Sequence, residues 1–90
     1  MKIKVTRDDI DNGDKNHECR CPIARATNRA FGKDEDEQYA TVFGDMIMFP
    51  DREGEYDLPL KACDFIAMFD EGMPVRAFTF DLSFPEHQED

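Results

Sequence analysis

Hydrophobic and polar positions alternate at the start of the chain, Ile3 and Val5 against Lys2 and Lys4, which marks a short strand with one buried face. Thr6 can cap a short turn through residues 7–10, closed by Asn12-Gly13. Residues 11–18 are polar loop. Pro22 then occupies a position where the first turn of a helix accepts it, and a helix is expected over 22–31 with Gly32 as its stop. Ile23, Thr27, Ala30 and Phe31 share one face, flanked by Ala24, while Arg25, Arg29 and Lys33 recur at spacing four on another. Asp34, Glu35, Asp36 and Glu37 read as a solvated linker.

The period changes to two at residues 38–43, where Tyr39, Thr41 and Phe43 oppose Ala40 and Val42. Gly44-Asp45 is a two-residue turn, and Met46 to Phe49 returns as the second arm. Residues 50–54 turn again into a short third strand at 55–57, so a three-stranded meander is expected. Pro59 opens a second helix whose core face is Leu58, Ala62, Phe65, Ile66 and Phe69, ended by Gly72 and Pro74. A last strand carries Phe78, Phe80, Leu82 and Phe84 on one side, with Pro85 as its stop.

The order β-α-β-β-β-α-β predicts an α+β fold, a small and mostly antiparallel sheet with two helices packed on one face. Ninety residues suit one domain, read as 1–84 with an acidic flexible tail at 85–90.

Charge sharpens the picture. The chain carries a formal −10, unevenly spread. Residues 1–33 hold eight Lys/Arg against five Asp/Glu, while residues 34–90 hold three against sixteen. Such a balance repels nucleic acid and anionic membranes and favours a basic partner. No stretch has the length of a membrane span, and the N-terminus lacks the character of a signal peptide, so the expected location is the cytoplasm. Cys19, Cys21 and Cys63 are an odd number, which fits free thiols in a reducing compartment.

Candidate chemistry is sparse. His17, Cys19, Cys21 and Cys63 offer zinc an acceptable ligand set, but structural sites pair cysteines two to four residues apart, and packed thiols beside a loop histidine explain the same residues. Cys21 precedes a helix N-terminus, which favours a thiolate; a packed cap is the simpler role. No glycine-rich phosphate loop, cofactor motif or catalytic constellation stands out, and no enzyme activity or cofactor is expected. The Arg25/Arg29/Lys33 stripe can touch phosphate or balance charge within the molecule, and the acidic whole favours the second. What remains is the acidic set Asp34, Glu35, Asp36, Glu37, Asp51, Glu53, Glu55 and Asp57 around the meander. Carboxylates on a rigid surface can imitate the phosphates of a duplex.

The motifs Cys21-Pro22-Ile23-Ala24-x-Ala26, Tyr56-x-Leu58-Pro59, Phe65-Ile66-x-x-Phe69-Asp70-x-Gly72-x-Pro74-Val75 and Phe78-Thr79-Phe80-x-Leu82 resemble a family of short uncharacterised proteins of bacteriophages and prophages. The likeness spans positions 5 to 82 and rests on caps, core positions and the last strand. It carries over no catalytic residue, and the acidic run at 34–37 lies outside it. The resemblance implies a modulator of a host protein, of the kind that blocks restriction or CRISPR defence. The expectation is a non-enzymatic protein in the host cytoplasm that occludes a host factor's basic, nucleic-acid-binding surface through those eight carboxylates. Met46, Met48 or Phe49 are the candidates for its apolar centre. The alternatives are an accessory phage protein without a host target and a small zinc or thiol protein.

Overall fold

The computed structural model describes residues 1–83. Along the chain come β1 (Lys2–Val5), α1 (Arg7–Asn12), α2 (Pro22–Ala30), β2 (Thr41–Phe43), β3 (Met46–Met48), β4 (Tyr56–Asp57), α3 (Leu60–Asp70) and β5 (Phe78–Asp81). The fold is α+β, as the changes of period imply. Phe84 and the segment 85–90 lie outside the described residues.

The turn after Thr6 is longer than expected and forms a helix. Thr6 Oγ1 accepts from the Asp9 N–H at 3.2 Å, and the Asp9 carboxylate accepts from the Thr6 N–H at 2.9 Å, a reciprocal capping box. Two groups at the helix N-terminus are thereby satisfied, which sustains a helix of only six residues.

The strands divide into two antiparallel sheets, where one was expected. β1 pairs with β5, with Ile3 opposite Phe80 and Val5 opposite Phe78. The meander β2-β3-β4 forms separately, with Val42 opposite Ile47 and Ile47 opposite Tyr56. Its first turn is the Gly44-Asp45 turn that the spacing predicts, and Gly44 has a φ of 61°, which a glycine adopts freely. Loop and side-chain partners take up edge groups of both sheets. The Val42 N–H donates to the Glu18 carbonyl at 2.8 Å, and the Lys4 carbonyl accepts from Arg29 at 2.9 Å.

Between the sheets lies α2, packed on β1, α1 and β2. It is buried from Pro22 through Asn28, Arg25 included, while Ala30 is exposed. The one-sided helix expected from spacing is therefore covered on several sides. Asn28 joins it to the meander: its amide donates to the carbonyls of Glu35 and Glu37, and its Oδ1 accepts from the Ala40 N–H at 2.9 Å.

Two aromatic clusters complete the core. Phe49 packs against Phe31 at 5.1 Å, Tyr39 at 5.2 Å and Tyr56 at 5.9 Å. Phe78 packs against Phe65 at 4.9 Å and Phe80 at 5.8 Å, fixing α3 under the β1-β5 sheet. Phe49 is buried, which removes it as an interface centre; Met46 and Met48 are half-buried.

Candidate functional site

The arginines of α2 settle the fate of the first acidic residues. Asp9 is fully buried, and Arg29 grips it at 2.6 Å and 2.8 Å. Burial alone would raise the Asp9 carboxyl, but the Arg29 guanidinium and the Thr6 N–H hold it below the usual carboxylate range. Arg25, with a side chain 8% exposed, reaches Asp36 at 3.0 Å and Asp8 at 3.3 Å. Its Nε has no hydrogen-bond partner and lies 3.7 Å from Asp9, so charge attraction alone compensates it there. Arg29 also meets Glu35 at 3.3 Å, and its fork depresses the Glu35 carboxyl after the contribution of the Glu35 backbone. The basic stripe thus balances charge within the molecule. Lys33, its third member, stands over the Tyr39 ring at 4.8 Å.

This network divides the predicted acidic set. Glu35 and Asp36 are neutralised by arginine. Glu37 accepts from the Asp34 N–H, and Asp51 accepts from the Tyr39 hydroxyl at 2.7 Å. Asp34, Glu53, Glu55 and Asp57 are exposed. No Lys or Arg ion pair reaches Asp45, Glu53, Glu55 or Asp57 among the described residues.

The meander adds one carboxylate that sequence reasoning passed over, Asp45. Asp57 stands opposite Met46, next to Asp45 in the turn, and the Leu58 N–H donates to the Asp45 carbonyl at 2.8 Å. Asp64, which follows Cys63 on α3, is exposed as well. Burial, then the charges of Asp45, Asp64 and Asp57, push the Cys63 thiol up. The hairpin register held the signal for Asp45, since a two-residue turn fixes which strand end it adjoins.

The thiols stand apart from one another. Cys19 meets the Thr41 hydroxyl at 3.7 Å, Cys63 the Leu58 carbonyl at 3.7 Å, and all three cysteines are free. Among the described residues no three His, Cys, Asp or Glu side chains converge as metal ligands do. A cleft of about 210 Å³ is lined by His17, Glu18, Cys21 and Asp70 among others. Burial pushes the Cys21 thiol up to about 11, so it is protonated at neutral pH and caps α2 as a packed group. His17 Nδ1 accepts from the Cys19 N–H at 3.2 Å, which ties that ring nitrogen to its own loop. No helix among the described residues is long and apolar enough to cross a membrane. No protein-family model, curated protein or solved structure matches this chain.

Proposed function

We propose that the protein is a non-enzymatic binding protein that occludes the basic, nucleic-acid-binding surface of another protein. The observation that carries this reading is the division of its carboxylates. Asp8, Asp9, Glu35 and Asp36 are spent on Arg25 and Arg29, whereas among the described residues no Lys or Arg pairs with the exposed Asp45, Glu53, Glu55 and Asp57 of the meander. The second group therefore keeps its field for a partner, and it is mounted on a paired three-stranded scaffold. A field of one sign steers a basic protein into encounter and weakens with salt. The resemblance to phage proteins adds the setting: a host factor in the host cytoplasm, and the blocking of a defence system as the outcome.

Capture from a bacterial lysate tests the reading. The immobilised protein is expected to retain a nucleic-acid-binding protein at low salt, and added duplex should displace it. Retention of nothing basic, or a ternary complex in which the captured protein keeps its nucleic acid, would overturn the proposal.

A further inference from the structure

Among the described residues the outer edge of β5 is open. Met1 and Leu82 exchange backbone hydrogen bonds at 2.8 Å and 2.7 Å, so the hydrogen-bonded pairs that follow in register are Ile3 with Phe80 and Val5 with Phe78. The peptide groups of Thr79 and Asp81 must then point away from β1. On the other strand the same geometry turns Lys4 outward, where Arg29 covers its carbonyl. β5 has no such cover among the described residues: it pairs with β1 alone, and Ala77 and Asp81 are exposed. Open edges of this kind template the addition of another strand.

Beside that edge lies a groove of about 410 Å³, lined by Lys61, Asp64, Phe65 and Met68 of α3 and by Arg76 and Phe78 among others. Leu60 is 81% exposed and Met68 38% on α3, and Met73 just after it 48%, so apolar side chains lie beside the exposed Lys61 and Asp64. Lys61 and Asp64, three residues apart, form no ion pair among the described residues.

We propose that this face joins a second copy of the chain, β5 against β5 about a twofold axis at Thr79. Centred on Thr79, the outward peptide groups pair throughout: Thr79 meets its own counterpart, Ala77 meets Asp81, and Phe78 stands across from Phe80. The two β1-β5 ribbons become one four-stranded antiparallel sheet whose aromatic side is continuous. The same axis lays the two α3 helices antiparallel, with each Lys61 toward the other copy's Asp64 and Met68 between them. This self-complementarity of charge is what a twofold contact requires, and it favours a second copy over an unrelated strand. The formal −10 on each chain opposes the contact, so salt should strengthen it, opposite to binding through the meander carboxylates.

Sedimentation equilibrium at low and high salt is the test. A dimer favoured by concentration and by salt is expected. Thr79→Pro removes an outward N–H that β1 does not use, a place where an edge strand accepts proline, and should weaken dimerisation by about tenfold or more. Lys61→Glu and Asp64→Lys should each weaken it alone, and mixing the two variants should restore a heterodimer; this pair decides the matter if the proline variant fails to fold. A monomer under all conditions, or variants that leave the dimer unchanged, would overturn the proposal.

Discussion

Asp9 shows how one residue can hold two elements together. Its carboxylate caps α1 through Thr6 and anchors α2 through Arg29, from a position with no solvent exposure. Asp9→Asn takes the carboxylate from the buried Arg25 guanidinium and from Arg29, which keeps Glu35, so a loss of about 1–3 kcal/mol is expected, read from denaturant unfolding. The pH dependence follows from the same contacts. Because folding lowers the Asp9 pKa from 3.8, its stabilisation is complete above that value and is lost as pH falls through the lower folded one. The acid limb of a stability profile should therefore shrink in the Asn variant. The sequence made Thr6 legible as a cap, and it made the Arg25/Arg29 stripe legible as charge balance. It did not reveal that Arg25 is buried, because spacing four describes a helix face without saying what packs over it.

At the scale of elements, the local signals were strong wherever the chemistry is local. Pro22 and Pro59 stand at helix starts, and Gly32 and Gly72, with φ of 77° and 79°, at helix ends. The meander turn follows from Gly44. The division into two sheets was not legible, because it depends on α2 packing between strands far apart in the chain. β5 joins both kinds of information. Its alternation identifies the inward face, and Phe80 is 1% exposed against Ile3. Phe80→Ala should cost about 3–5 kcal/mol, the range for deleting a buried aromatic ring. A loss below about 1 kcal/mol would mean that the ring is peripheral. Asn28→Ala offers an independent check on the joint between the sheets. It would strand the Ala40 N–H and the Glu35 carbonyl, while the Glu37 carbonyl keeps the Tyr39 N–H, and a loss of about 1–3 kcal/mol is expected.

For the molecule as a whole, charge is sorted by position. The half that holds the arginines of α2 is internally balanced, and the meander side is not. Counting charges along the chain exposed the asymmetry but could not say which carboxylates are consumed, since Glu35 and Asp36 look no different in sequence from Glu53 and Glu55. Each exposed carboxylate contributes little alone, about 0–1 kcal/mol in a surface pair, whereas several together shape the encounter rate. The most direct measurement is the association rate of the captured partner with a variant carrying Asp45→Asn, Glu53→Gln, Glu55→Gln and Asp57→Asn, followed across a salt titration. The account predicts association several-fold slower than the parent at low salt, converging with it at high salt, with the melting temperature unchanged. Equal rates at every salt concentration would contradict it.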